Sequence, residues 1–376
     1  MKMNRMYILS MTLLLAISAQ GQGQSSLSLK QETVRSPFSG EWQVGISGAD
    51  SQDEQSQSKK VDFRLGVRAK YELTSYLLLD IQPVIRLQSG QTQSVDGADS
   101  AENKILLNQA AVDLHSENFK FLAGALNQQA LHSPLLVDNM AFPGARAQAM
   151  VNTSQTETGV AIETAIPTST SLSANTSELE PTPSLNTASL NFNWQTSRRT
   201  FWKTKAGYFT YSDLPSAVAQ KSRLLGNEVI AMSESDYSLK YEHQGLDAMT
   251  ELSLPVFNRF TIVAGGSYLQ NQKAPSDLNT ATFFWGGGEI YFSRNFTWGL
   301  RGGQFSIAPE SAVSYFNASG FETNRVGYVI ESIFKFQKER FNLSVKYMDA
   351  ELMYESEYQS REKTLTIKLE TSYANI

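Results

Sequence analysis

The sequence contains no cysteine, and after residue 18 it has no apolar run long enough for a transmembrane helix. The lack of cysteine excludes a disulfide framework, a thiolate metal site and a lipid-bearing N-terminal cysteine. A spanning helix needs about 20 consecutive apolar residues, so a helical membrane protein is excluded as well. The formal net charge is only −5 over 376 residues, which argues against a nucleic-acid partner.

The N-terminus has the pattern of a secretory signal peptide. Lys2 and Arg5 precede an apolar stretch at 7–18, which is too short to cross a bilayer. Small residues at Ala19 and Gly21 predict cleavage after Gly21, with cleavage after Ala19 as the alternative. The predicted organisation is a signal peptide (1–21), a flexible N-terminal segment (22–40) and a β-barrel (41–376).

Residues 61–73 (VDFRLGVRAKYEL) alternate strictly, with apolar side chains at odd positions and charged residues or glycine at even positions. A period of two over thirteen residues predicts a β-strand with one apolar and one charged face. Similar stretches recur to the end of the chain. The sixteen predicted strands are 41–48, 61–73, 76–88, 104–115, 118–127, 145–154, 156–166, 184–196, 199–211, 237–254, 259–272, 279–292, 295–308, 323–337, 339–352 and 362–374.

Strand length and the connections between strands identify the class of sheet. Most predicted strands have 10–15 residues, more than the ~5–6 of soluble proteins and enough for the ~9–11 of a tilted membrane strand. Seven short turns alternate with eight long loops, which places both termini on the short-turn side. We therefore predict an all-β, antiparallel transmembrane barrel of 16 strands (range 14–18), with short periplasmic turns and long outer loops.

Two features of this pattern need comment. Aromatic residues such as Trp42, Trp202 and Tyr373 gather near strand ends, as they do at the two membrane interfaces of barrels. In the predicted strand 237–254 the apolar parity changes near Gln244. This change predicts either a bulge or an extension of the strand above the membrane.

The charged faces of the strands are predicted to line the lumen. Such charges need water or partners, and a row of one sign sets an ion preference. Sixteen strands enclose more space than side chains fill, so a water-filled pore is favoured over a lumen plugged by ion pairs. The pore-lining candidates are Arg64, Arg68, Lys70, Arg86, Asp80, Asp113, Asp138, Lys203, Lys205 and Arg301.

Glycines recur in three neighbouring predicted strands. Glycine inside a strand marks local curvature or a close approach by another backbone or a ligand. The alternatives are a bend in the barrel and a patch that contacts lipid or a neighbouring protomer. The contact candidates are Gly265, Gly266, Gly286, Gly287, Gly288, Gly302 and Gly303.

No catalytic, cofactor or metal site is predicted. The glycines at 286–288 are not followed by the Lys-Ser/Thr pair of a phosphate loop. The three histidines are His115, His132 and His243. Ser133 directly follows His132, but neighbours in sequence rarely converge as a nucleophile and its base. A barrel hydrolase using His132 or His115 is therefore only the third hypothesis.

Nearly the whole chain after the signal peptide resembles the sixteen-stranded general diffusion porins in architecture. In that family the loop after the fifth strand folds into the barrel and narrows it. The corresponding segment here is QQALHSPLLVDNMAFPGA at 128–145, whose one acid is Asp138. The resemblance implies that this segment is a constriction loop, but with a single acid it departs from the acidic constriction of the family. The basic residues Arg64, Arg68, Lys70 and Arg86 lie on the second and third strands, where porins often carry a basic cluster. The chain is similar, more weakly, to porin-like barrels of predatory bacteria, some of which form rings that enclose lipid.

The resemblance implies an outer-membrane channel in a Gram-negative bacterium, passing small hydrophilic solutes and ions by passive diffusion without a cofactor. The alternative is a plugged, non-conducting barrel whose ring oligomer encloses or organises lipid. Expected partners are outer-membrane lipid and further copies of the chain, in a trimer or a larger ring such as a pentamer. Nucleic acid is not an expected partner.

Overall fold

The computed structural model describes residues 37–53, 56–94, 103–169, 179–197, 199–232, 236–317 and 321–375. The predicted signal peptide and residues 22–36 lie outside these ranges. Among the described residues, no helix is both long and apolar enough to cross a membrane.

The described residues form a closed, antiparallel barrel of 16 strands, and 68% of the chain is strand. Each strand pairs with its neighbours in sequence, and β1 pairs with both β2 and β18, which closes the ring. The first nine barrel strands are β1 (Phe38–Gln52), β2 (Ser56–Thr74), β3 (Leu77–Ser94), β4 (Lys104–His115), β5 (Phe119–Asn127), β6 (Ala141–Asn152), β7 (Thr156–Ala165), β8 (Ser184–Ser197) and β9 (Thr200–Ser212).

The other seven barrel strands follow a small hairpin that is not part of the main sheet. This hairpin consists of β10 (Val229–Ala231) and β11 (Tyr237–Leu239). The barrel continues with β12 (Gln244–Phe257), β13 (Phe260–Asn271), β14 (Thr280–Tyr291), β15 (Phe296–Ile307), β16 (Arg325–Phe336), β17 (Phe341–Leu352) and β18 (Glu362–Thr371), and the two-residue β19 (Ala374–Asn375) also pairs with β1. The helical segments are Gln128–Ala130 (3₁₀), α1 (Ser216–Leu224) and α2 (Ser314–Asn317).

The prediction of a sixteen-stranded barrel is confirmed, and every predicted strand overlaps one barrel strand. The predicted strand 237–254 is divided, because 237–239 belongs to the hairpin and the barrel strand begins at Gln244. β1 and β2 are longer than predicted and remain paired up to Gln52 and Gln57. The backbone ladder continues beyond the lipid-facing region with polar side chains, where hydrophobic alternation no longer marks a strand.

Candidate functional site: the lumen and the loops inside it

The loop between β5 and β6 contacts one face of the barrel wall, which identifies that face as the luminal one. Gln128 Nε2 donates to Glu163 Oε1 at 2.7 Å, on β7. Lys205 Nζ, on β9, donates to the carbonyl oxygen of Gln129 at 2.8 Å. Ser133 hydrogen-bonds to Asp247 on β12. Because side chains alternate along a strand, every second residue of each strand faces the lumen and the others face lipid.

Three connections fold into the long-loop half of the lumen, and we call them the luminal plug. It consists of the described residues of 128–140, 213–228 and 308–324. Luminal side chains at the ends of eight strands join these loops in one buried apolar cluster. Within it, the Tyr211 and Phe316 rings stack with centroids 5.5 Å apart and planes at 13°. The fully buried apolar members are Leu135, Leu136, Val137, Phe142, Leu185, Phe209, Val218, Leu269, Ala281, Ile307, Ala312, Val313 and Phe316.

This cluster differs from the lumen expected from the sequence. The sequence predicted one inward loop at 128–145, whereas three connections enter the barrel and residues 141–145 belong to β6. The loop residues resemble the core of a soluble protein, because they are apolar and covered on all sides. The long-loop half of the lumen is thus filled by a hydrophobic core where the wall strands β6–β9, β13–β15 and β17 meet it.

Polar contacts fix the first plug loop in position. The backbone N–H of Asp138 donates to the Phe316 carbonyl at 2.9 Å, and Asn317 Nδ2 donates to the Leu135 carbonyl at 3.1 Å. His132 Nδ1 lies 3.5 Å from Asp247 Oδ2, and both residues are buried. Ser133 Oγ donates to Asp247 and not to His132. This cluster therefore joins the loop to the wall and does not have the geometry of a serine nucleophile with a histidine base.

The second and third plug loops are joined by Asn227. Its Nδ2 donates to the carbonyls of Pro309 at 2.7 Å and Ala312 at 2.8 Å, and its Oδ1 accepts from the Ser314 N–H at 2.8 Å. Gly226, the preceding residue, has a φ of +114°. The two N–H groups and the carbonyl oxygen of the Asn227 side chain therefore all have hydrogen-bond partners inside the plug.

Two buried ionisable groups lie outside the spanning strands at this end. Burial raises the pKa of Glu310 to about 7, although the Glu228 N–H donates to its Oε1 at 2.6 Å. Burial also lowers the pKa of His243 to about 4. Both shifts favour the neutral form of the side chain, as low-dielectric surroundings do.

The predicted luminal acids and most of the predicted bases are engaged in polar contacts. Arg86 pairs with Asp62, and Asp113 Oδ2 lies 2.9 Å from Lys120 Nζ. Asp80 accepts from Gln109 at 2.9 Å, and Asp138 accepts from Gln129 at 2.6 Å. Arg301 Nη2 lies 3.1 Å from Glu289 Oε1, and Lys203 Nζ lies 5.0 Å from the Phe201 ring centroid.

The cations of β2 are different. Among the described residues, Arg64, Arg68 and Lys70 form no ion pair with a carboxylate, and Arg68 and Lys70 are exposed. Arg68 lies over the ring of Tyr373, with its Cζ 3.8 Å from the ring centroid. Tyr373 was predicted at a membrane interface, but it contacts this luminal arginine instead. A cavity of about 520 Å³ beside them is lined by Glu41, Arg68, Lys70, Gln82 and Asn375, among others.

The predicted glycine patch is divided between the two faces of the sheet. Gly265, Gly287 and Gly303 share the luminal face with Arg301, whereas Gly266, Gly286, Gly288 and Gly302 share the outer face. Only the outer four can contact lipid or another protomer. The hypothesis of a contact patch is thereby restricted to those four and stays a prediction.

Sequence reasoning missed two luminal acids that hold the plug and its neighbourhood in place. Asp247 anchors Ser133, and Glu163 pairs with Arg146 at 2.5 Å while accepting from Gln128. The alternation on β12 contained the signal, because Leu246 and Ala248 are apolar and outward, which turns Asp247 inward. The alternation could not show that a loop from another part of the chain contacts this carboxylate.

The chain is similar in structure to several solved outer-membrane proteins. It matches OprB of Pseudomonas putida at high pH with a TM-score of 0.55 and 9% identity, covering 90% of this chain and 94% of that one. It matches OmpF of Salmonella typhi, in a complex with daunomycin, with a TM-score of 0.50 and 9% identity, covering 89% and 97%. No family model matches the chain, and no curated protein matches it in sequence. At these identities the likeness establishes the fold, which is that of outer-membrane porins.

Proposed function

We propose that this protein is a porin-like channel of the outer membrane that passes small hydrophilic solutes and ions by passive diffusion. The supporting observation is the unequal filling of the lumen. Luminal side chains in the long-loop halves of β7, β8, β9, β12 and β13 are mostly buried beneath the plug. Those of β1, β2 and β18, which we call the plug-free sector, remain partly or fully accessible to solvent along the strands, except Ser58 at the long-loop end of β2. We infer that solutes move along this sector.

The unpaired cations of this sector favour anions. Its acids Asp62, Glu362 and Glu370 lie beside Arg86, Arg325 and Lys368, and only Glu41 and Glu72 have no basic partner at ion-pair distance among the described residues. Arg64, Arg68 and Lys70 follow one another on the luminal face of β2, without ion-pair partners among the described residues. A row of one sign in a narrow aqueous passage with low-dielectric walls raises the local concentration of the opposite ion. Asp138 was expected to offset them, but its carboxylate accepts a hydrogen bond inside the plug. A mild preference for small anions follows.

Planar bilayer recording of the folded mature chain tests the proposal. We expect stepwise conductance in symmetrical salt and, under a salt gradient, a reversal potential of the sign given by anions. Fractionation of the expressing cells should place the protein in the outer membrane. A correctly folded oligomer that never conducts would refute the channel function.

A second candidate is the plugged barrel whose ring oligomer encloses or organises lipid. The observation that favours it is the fully buried apolar core inside the lumen, because a water-filled pore does not need one. In this case the outer-face glycines Gly266, Gly286, Gly288 and Gly302 are the candidate contacts with lipid or a neighbouring protomer. Lipid that co-purifies inside a ring of non-conducting barrels, detected by mass spectrometry and imaging, would support it. A delipidated, conducting trimer would exclude it.

A further inference from the structure

Tyr373 faces the lumen because a β-bulge interrupts the seam of the barrel. The apolar residues of β18 that face lipid have odd numbers, so strict alternation would turn Tyr373 outward as well. However, Gly45 pairs with Glu370 whereas Trp42 pairs with Ala374, three residues further along one strand and four along the other. The extra residue reverses the alternation and turns Tyr373 inward.

Side-chain hydrogen bonds hold this bulge in place. The Val44 N–H donates to Thr371 Oγ1 at 3.0 Å, and Gln43 Nε2 donates to the Thr371 carbonyl at 2.9 Å. Side chains thus bond backbone groups of the two strands where the regular ladder is interrupted. The position of Tyr373, two residues after Thr371, is fixed by these contacts.

The Tyr373 ring lies over a gap in the luminal side chains of β2. Gly66 has no side chain at this point and is buried, and a Cβ there would lie 3.7 Å from the Tyr373 hydroxyl oxygen. The next luminal residue of β2 is Arg68, whose Cζ lies 3.8 Å from the ring centroid. At this distance a planar guanidinium is attracted by the negative face of the ring.

Arg68 has a second partner within reach that it does not use. Glu41 of β1 is its direct neighbour in register, and both residues line the same cavity. Side chains in such a position have Cβ atoms about 4.5–5.5 Å apart, close enough for an ion pair. Among the described residues, however, neither Arg68 nor Glu41 forms one. Exposed ion pairs and exposed cation–π contacts are of similar strength, so the fixed position of the ring decides between them.

We propose that Tyr373 is a positioning residue of the channel, which holds the Arg68 guanidinium away from Glu41. The ring extends over Gly66, which lies between Arg64 and Arg68 on the luminal face. The stack therefore keeps the charge of Arg68 close to that of Arg64, in a continuous row. Pairing with Glu41 would place a neutral ion pair in this row and weaken its attraction for anions. This inference rests on the proposed function, because it names a residue that sets the ion preference of the same sector.

Reversal potentials of the full mature chain under a gradient of potassium chloride form the first test. In Tyr373→Ala, Arg68 should pair with Glu41, and the ratio of chloride to potassium permeability should fall about two- to fivefold. Tyr373→Leu covers Gly66 without an aromatic face and should behave in the same way. Tyr373→Phe keeps the ring and should keep the wild-type ratio. A wild-type ratio in both the Ala and the Leu variant would overturn the inference.

Glu41→Gln separates this role from a simple change of charge. In the wild-type background it removes one negative charge and should raise the permeability ratio slightly. In the Tyr373→Ala background it also frees Arg68, so the same substitution should raise the ratio about two- to fivefold more. Equal effects of Glu41→Gln in the two backgrounds would also overturn the inference.

Modification of the folded barrel by phenylglyoxal supplies a readout that needs no current. The reagent attacks the uncharged guanidine, whose population is lowered by a neighbouring carboxylate. Peptide mass spectrometry should show Arg68 reacting about two- to fivefold more slowly in Tyr373→Ala, and at the wild-type rate again when Glu41→Gln is added. Arg86, which is ion-paired, and Arg64, which is not, are internal references. Unchanged or faster reaction of Arg68 in Tyr373→Ala would contradict the proposed contact.

The two readouts separate this inference from the channel function. A silent barrel in which the reactivity of Arg68 depends on Tyr373 and Glu41 as described would refute the channel and support the positioning role. A conducting, anion-preferring barrel in which neither the permeability ratio nor the reactivity depends on Tyr373 would support the channel and refute the positioning role.

Discussion

Ser133 donates two hydrogen bonds to Asp247 across the lumen, from Oγ to Oδ1 at 2.5 Å and from its backbone N–H to Oδ2 at 2.9 Å. Ser133 lies in the first plug loop and Asp247 on β12, so one carboxylate fixes the loop to a strand 114 residues away. Hydrogen bonds to a charged acceptor are about twice as strong as those between neutral groups. This contact therefore has a large share in holding the first loop inside the barrel.

Replacing Asp247 by Asn should loosen the first plug loop. The variant loses the charge and one of the two accepting oxygens, which we expect to cost about 1–3 kcal/mol locally. Amides of 128–140 should then exchange with solvent about tenfold faster or more, measured by hydrogen-exchange mass spectrometry. Asp113→Asn is the control, since that buried luminal carboxylate pairs with Lys120. Equal exchange of the loop in Asp247→Asn and the wild-type protein would contradict the role assigned to Asp247.

Removing the β2 cations should abolish the anion preference. In the triple variant Arg64→Ser, Arg68→Ser and Lys70→Ser, the reversal potential under a salt gradient should move toward the cation side. The control removes the same number of charges from exposed short turns, as Arg259→Ser, Arg294→Ser and Lys338→Ser. Because a turn charge in water is screened within about 10 Å at 0.1 M salt, the control should resemble the wild-type protein. The same shift in both triple variants would show that these strand cations do not line the passage.

Glu310 should make the plug less stable as the pH rises. Its folded pKa of about 7 lies above its usual value of 4.5, so the folded plug binds a proton that the open form releases between these values. Stability is therefore greatest below about pH 4.5 and falls as the pH passes through 7, by roughly 3 kcal/mol in all. The protection factors of the 308–317 amides, that is, their exchange rates corrected for the intrinsic pH dependence of exchange, should fall over this interval in the wild-type protein and not in Glu310→Gln.

His243 acts in the opposite direction and does not disturb this comparison. Its pKa is lowered to about 4 from 6.5, so its contribution to stability is lost as the pH falls through that interval. His243 is present in both proteins and cancels in their difference. If Glu310→Gln followed the same pH profile as the wild-type protein, Glu310 would not be the titrating group.

Gly226→Ala should destabilise the contact between the second and third plug loops. Gly226 has a φ of +114°, and a Cβ there would lie 2.6 Å from the Thr323 carbonyl oxygen. An alanine at this position would be strained by the left-handed backbone and by the contact with Thr323. Together these effects should lower the stability of the folded plug by about 1–3 kcal/mol. Limited proteolysis of the folded barrel within 213–228 should then be faster. Gly302→Ala, with its nearest contact at 4.0 Å, should leave cleavage unchanged, and equal rates in the two variants would contradict the prediction.

The barrel was predictable because lipid imposes one rule on every spanning strand. Residues such as Val61, Ile162 and Leu246 must be apolar outside, and that requirement produces a period of two that is visible in a single sequence. The requirement for apolar outward residues applies only within the membrane. It therefore missed the outer parts of β1 and β2 and joined Tyr237–Leu239 to the strand that begins at Gln244.

The interior was predictable only in part. The alternation of side chains along β2 and β4 placed Arg64 and Asp113 on the luminal face. This alternation is a local property of each strand and does not depend on distant segments. It could not show that Leu135, Val218 and Val313, from three separate connections, meet in one apolar core. It also gave no reason for Gly265, where a Cβ would lie 2.5 Å from the Trp285 ring of the neighbouring strand.

The pairing of β1 with β18 has a consequence for biogenesis. Ser51 Oγ and Thr364 Oγ1 lie 3.1 Å apart across this seam, although 313 residues separate them in the chain. Contacts between such distant positions carry the largest loop-closure entropy and form slowly. Until β18 is in place, β1 presents a row of unpaired backbone groups that can join another chain. A truncation before residue 362 would remove β18 and leave β1 with an unpaired edge, and we expect such a sheet to aggregate.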